Sequence, residues 1–67
     1  MDISKSIRVG LACRNITSTD LASRVGISES YLSRLKHGYK VPTIQTLAII
    51  AEALDYKVSE FVALGED

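Results

Sequence analysis

Residues 18–38 constrain this chain more than any other stretch, because their apolar residues and glycines read as a helix, a tight turn and a second helix. Leu21, Ala22 and Val25 fall at i, i+1 and i+4, one stripe of a short helix. Gly26 ends that helix, since glycine takes the left-handed conformation at little steric cost. Ile27 tucks in behind the turn. Ser28 is suited to cap the second helix of the pair, its hydroxyl accepting from an otherwise unbonded N–H of the first turn. Leu32 and Leu35 form the inner stripe of that second helix, and Gly38 stops it. Ala22 is small where two crossing helices come close.

The rest of the chain reads as helices around this unit, with no strands, repeats or low-complexity segments. A first helix runs from about Ile3 to Arg14, with Ile3, Ile7 and Leu11 as its core stripe, Asp2 at its start and Asn15 as a left-handed cap. Val9 and Cys13 lie off that stripe and either pack under the C-terminal segment or stay partly exposed. Ile16 is a buried linker. Thr17 caps the second helix, and Asp20 three residues on imitates a capping box. The third helix spans about Ser28 to Lys36. Thr43 caps a fourth that runs to about Leu54, with Ile44, Leu47, Ala48, Ile50, Ala51 and Leu54 as its inner face. A fifth, about Ser59 to Leu64, is anchored by Phe61, and the tail Gly65–Asp67 should fray. The fold class is therefore all-α, a compact bundle of five short helices with its core over about residues 3–64.

This spacing resembles the lambda repressor and Cro group, the Xre-like helix-turn-helix proteins. The resemblance rests on Leu21-Ala22, Gly26, Ser28, Leu32, Leu35 and Gly38, followed by Pro42-Thr43 and the apolar run to Leu54. It covers about residues 3–62. It implies that the second and third helices form the helix-turn-helix, and that the third lies in the DNA major groove with its N-terminal part against base edges.

Composition narrows the function. Sixty-seven residues make one domain, 1–67, with a modest core and no room for a separate ligand-sensing domain. Control by concentration or by a partner is expected, and no small-molecule effector. Cys13, the single cysteine, rules out an internal disulfide; it reads as a small core or boundary residue, with redox sensing the remote alternative. With His37 as the lone histidine there is no metal set, and no cofactor is expected. No apolar run approaches the ~20 residues of a membrane span and no signal peptide is visible, which points to the cytoplasm.

Net charge is zero, which argues mildly against a nucleic-acid binder, but its distribution matters more. Seven basic against three acidic side chains give residues 1–40 a net +4, and one against five give residues 41–67 a net −4. A DNA face and a face turned away from DNA would look like this.

On the third helix, Ser30, Ser33, Arg34 and His37 lie opposite Leu32 and Leu35, with Glu29 at the edge. Glu29, Ser30, Ser33 and Arg34 are the candidate base contacts. Arg34 can pair bidentately with guanine O6 and N7. Glu29 can accept from cytosine N4, orient Arg34, or exclude wrong bases by repulsion. The two serines are short and read weakly, often through water. The bland alternative is the solvated face of an amphipathic helix. Tyr31 either touches the sugar-phosphate or a thymine methyl, or packs towards the first helix. His37 either complements the helix dipole as an exposed end residue or meets a phosphate.

The resemblance implies backbone contacts at the starts of the second and third helices and in the loop into the fourth. The matching positions are Ser18, Ser28, Lys40 and Thr43, with Tyr39 and Gln45 beside them. Two departures stand out. Many relatives carry a glutamine where this chain has Ser18; it clamps a phosphate and steadies the reading helix, and serine is too short to do both. Many also pair an arginine with a glutamate at positions that are Leu11 and Lys36 here, so an apolar contact is expected instead.

The leading function is therefore a sequence-specific regulator of transcription, like phage Cro proteins and short repressors or restriction–modification controllers. It would bind a partly palindromic operator in double-stranded DNA as a homodimer, because one helix in one groove reads only a few base pairs. Tyr56, Val58, Val62 and Leu64 in the acidic part are the candidate dimer contacts. The second class is a protein-interaction module such as the antitoxin of a toxin–antitoxin pair. An enzyme is the weakest, for lack of a nucleophile–base pair or a phosphate loop.

Overall fold

The computed structural model describes residues 2–66 and contains five helices. They are α1 (Ile3–Arg14), α2 (Ser18–Val25), α3 (Glu29–Lys36), α4 (Ile44–Ala53) and α5 (Val58–Ala63). Four starts are capped by an oxygen three residues upstream of the N–H it accepts. Asp2 takes the N–H of Lys5, Thr17 that of Asp20, Ser28 that of Tyr31 and Thr43 that of Thr46, at 3.0–3.1 Å. Asp2 also accepts from the Ser4 hydroxyl at 2.7 Å, and these bonds hold its carboxyl below its ordinary pKa. The reciprocal half of a capping box at Thr17 does not form, because the Asp20 carboxylate pairs with Arg24 at 3.1 Å. At α5 the box is anchored differently. The Lys57 N–H donates to the Glu60 carboxylate at 2.9 Å, which starts the helix at Val58, one residue before the expected Ser59.

The ends of α1–α4 share one scheme. Asn15, Gly26, Gly38 and Asp55 have φ of 56°, 82°, 79° and 61°. In each case the next N–H reaches back five residues: Ile16 to Leu11, Ile27 to Ala22, Tyr39 to Arg34 and Tyr56 to Ala51, at 2.9–3.1 Å. This left-handed closure satisfies carbonyls that a helix end leaves open and turns the next side chain back towards the helix. Ile16, Ile27 and Tyr56 then pack on the core, whereas Tyr39 stays 83% exposed.

The core comprises Ile7 and Leu11 of α1, Leu21 and Ala22 of α2, Leu32 and Leu35 of α3, Ile50 and Ala51 of α4, then Leu54 and Phe61. Leu47 packs against it and Ala48 is half-buried, but Ile44 is 84% exposed and leaves the expected inner face. It is the first residue of α4, where no neighbouring helix covers it. Cys13 is exposed rather than core or boundary, while Val9 is half-buried. Ile16 is half-buried.

Where α1 meets α5, small residues set the approach. Ser6 is fully buried and donates to the Asp2 carbonyl at 3.2 Å and the Val62 carbonyl at 3.4 Å. A Cβ on Gly10 would stand 3.0 Å from Leu54 Cδ1 and 3.5 Å from Phe61. Gly65 does not fray as expected: it is buried, and a Cβ there would fall 2.1 Å from the Asp2 carbonyl oxygen. Asp67, the end of that tail, lies outside the described residues. No described helix is long and apolar enough to cross a membrane.

Candidate nucleic-acid interface

The candidate reading face is the outer side of α3. Leu32 and Leu35 are buried, which turns Glu29, Ser30, Ser33, Arg34 and His37 to the surface, all exposed. The Arg34 guanidinium has no partner among the described residues, so its donor fork is open to a ligand. Ser33 sits beside His37: His37 Nδ1 lies 2.8 Å from the Ser33 carbonyl and 3.4 Å from its hydroxyl. The imidazole thus folds onto the last turn of α3, beside a carbonyl that also accepts the His37 backbone N–H at 3.1 Å. Tyr31 is half-buried and packs on the core, with Lys40 Nζ 5.7 Å from its ring centre.

Behind this face, side chains stitch α3 to its neighbours. The Thr19 hydroxyl donates to Glu29 Oε1 at 2.8 Å, joining α2 to the first residue of α3. Lys36 Nζ donates to Ser18 Oγ at 2.6 Å, joining the end of α3 to the start of α2. Arg8 of α1 donates to the Lys36 carbonyl. The Leu11–Lys36 pair expected to form an apolar contact is thus divided, with Leu11 buried in the core and the Lys36 ammonium turned to Ser18. Since Ser18 accepts from the ammonium, its own hydroxyl hydrogen is left to donate elsewhere. Arg8, Thr17, Ser18, Lys36 and His37 line one open groove that has no carboxylate in its wall.

Sequence reading missed Thr19, Lys36 and Arg8 as partners of the reading helix. The one signal for Lys36 was its place at an ion-pair position whose acidic and basic members were both absent.

In the loop to α4, Tyr39, Lys40 and Val41 are exposed. Thr43 is exposed and engages its hydroxyl with Thr46, while Gln45 is exposed at the second residue of α4. Ser18 is half-buried and Ser28, though exposed, is engaged as the cap of α3. The expected backbone contacts thus sit at three helix starts and in one loop.

The four candidate dimer residues are not equivalent. Tyr56 is half-buried, packs on the core with its ring 6.5 Å from that of Phe61, and carries the Arg14 guanidinium 4.0 Å above its own ring centre. Leu64 also packs on the core, Val62 is half-buried, and Val58 is 42% exposed. Among the described residues, no group of three or more histidine, cysteine, aspartate or glutamate side chains is placed to hold a metal ion.

Comparison with known proteins bears on this geometry. No curated protein matches the chain. A family model described as helix-turn-helix matches residues 14–61, from the end of α1 through Phe61 of α5, and includes every residue of the reading face. The chain therefore belongs to the Cro/C1-type, Xre-like helix-turn-helix family of DNA-binding regulators.

Proposed function

We propose that this protein regulates transcription by binding a partly palindromic DNA operator as a homodimer, with α3 of each copy in a major groove. The observation that carries the reading is Arg34: an exposed, unpaired guanidinium on the outer face of a helix whose inner face is locked into the core. A planar donor fork of this kind matches guanine O6 and N7. Ser30 and Ser33 flank it as shorter readers. Ser28, Tyr31, His37, Tyr39, Lys40, Thr43 and Gln45 surround it as contacts to the sugar-phosphate chain, which fix register rather than sequence. Ser18 and Lys36 act there as a pair, the ammonium supplying charge and the hydroxyl a directed donor.

A twofold dimer places its two reading helices about 34 Å apart, one turn of DNA. Of the candidate contacts, Val58 and Val62 serve this role, while Tyr56 and Leu64 mainly hold the fold. Selection of sites from random DNA, then footprinting and sedimentation on the selected site, tests the reading. The expected result is two half-sites protected by two copies. One copy on one asymmetric site at saturation would exclude the dimer. Val58→Asp should weaken operator binding with helical content intact; loss of helical signal instead would make Val58 a packing residue.

A second reading has its own support. Val41 and Ile44 are 81% and 84% exposed on the loop and first turn of α4, apolar surface that suits a protein partner. Ile44→Asp separates the two readings: unchanged DNA binding would assign that surface to a partner other than DNA or a second copy.

A further inference from the structure

The geometry points to Glu29 as a residue that selects cytosine in the operator, with Thr19 as the positioning residue that aims it; this rests on the DNA-binding reading above. A carboxylate at the front of an interface with DNA is a liability unless it meets a donor, because phosphates repel it. Glu29 is nevertheless the first residue of the reading helix and is exposed. Its orientation is set. The hydroxyl of Thr19, the second residue of the neighbouring helix α2, donates to Oε1 at 2.8 Å. Arg34 does not pair with it, so Glu29 does not serve to orient that side chain. The second oxygen, Oε2, has no partner among the described residues and retains its full acceptor capacity.

What this oxygen can accept from is limited by the chemistry of the groove. The major-groove edges offer amino donors only at cytosine N4 and adenine N6. Guanine and thymine present acceptors there. Adenine places its N7 acceptor next to the N6 donor, so a carboxylate that approaches it meets attraction and repulsion together. Cytosine presents the donor without an acceptor of its own beside it. A carboxylate held in one rotamer therefore favours cytosine and disfavours the other three bases. A free glutamate would instead swing away from the duplex and impose nothing. The threonine tether is what turns a repulsive group into a selective one.

The test is selection of binding sites from random duplex DNA by the full chain, repeated for Glu29→Gln, Glu29→Ala, Thr19→Val and Thr19→Ser. The wild-type protein is expected to require cytosine at one position of each half-site, where replacement by thymine lowers affinity about 5- to 150-fold. Glu29→Gln should move the preference at that position to adenine, because an amide offers the donor and acceptor that N7 and N6 require. Thr19→Val keeps the side-chain shape and removes the donor. It should blunt the cytosine preference while thermal midpoint and affinity for random DNA stay unchanged, and Thr19→Ser should restore it. If Glu29→Ala binds every sequence more tightly with no change in base preference, Glu29 only repels and the proposal fails. An unchanged cytosine requirement in Thr19→Val removes Thr19 from the account. A wild-type protein that selects no DNA site at all would overturn the DNA-binding reading itself, an outcome distinct from both.

Discussion

Two faces of α1 meet different kinds of neighbour. On one face, α1 meets the α2–α3 unit, whose outer rim is stitched by polar side chains: Arg8 to the Lys36 carbonyl, Lys36 to Ser18, Thr19 to Glu29. On another face, α1 meets α5 through the buried Ser6 and through Gly10 and Gly65, the two glycines leaving no room for a Cβ without a shift. The polar rim contributes little stability, since a half-exposed hydrogen bond nets about 0.5–1.5 kcal/mol. What it supplies is orientation of the reading helix, while leaving Arg34 unbonded. The α1–α5 contact supplies stability by steric fit and offers no donor to a ligand. Function and folding are therefore separable by mutation.

The largest effect expected is at Phe61, which is fully buried where α5 closes the core. Phe61→Ala should cost roughly 3–5 kcal/mol, comparable with the whole stability of a chain this short, and urea titration should find it largely unfolded. Gly10→Leu tests the same face more gently. Leu54 and Phe61 already stand close to the position its Cβ would occupy, so overpacking should cost about 1–3 kcal/mol in the same titration while the reading face stays intact. If Gly10→Leu left stability unchanged, close approach would not be what defines that face.

Arg34→Ala tests the polar side of the contrast. It should leave the urea midpoint in place and cost about 1–3 kcal/mol on the selected operator, relaxing preference at one base pair. Equal loss on selected and random DNA would move Arg34 to the phosphates and remove the contrast between reading and positioning. Asp55→Gly should stabilise by about 1 kcal/mol, because its left-handed φ of 61° strains any side chain, and the Arg14 bond to the Asp55 carbonyl at 3.1 Å does not depend on that side chain. Thermal unfolding of the variant measures the gain. The smallest change is at Lys40. Removing it should flatten the fall of log affinity with log salt by about 0.9 without altering the preferred sequence.

What the chain's order of residues determined by itself is everything that acts over three to five positions. Thr17, Ser28 and Thr43 cap because a side-chain oxygen reaches an N–H three residues on. Asn15, Gly26 and Gly38 close helices because a left-handed residue lets the next N–H return five places. Leu32 and Leu35 against Ser30, Ser33 and Arg34 declare an inner and an outer side of α3. Only the tertiary structure decided what depends on a neighbour far along the chain. Thr19 and Glu29 are 10 residues apart, Lys36 and Ser18 18, and Ser6 and Val62 56, so nothing local marks them as partners. Ile44 shows the same limit from the other side. Its place in the helical period points it inward, but burial needs a neighbour to cover it, and at the first turn of α4 there is none.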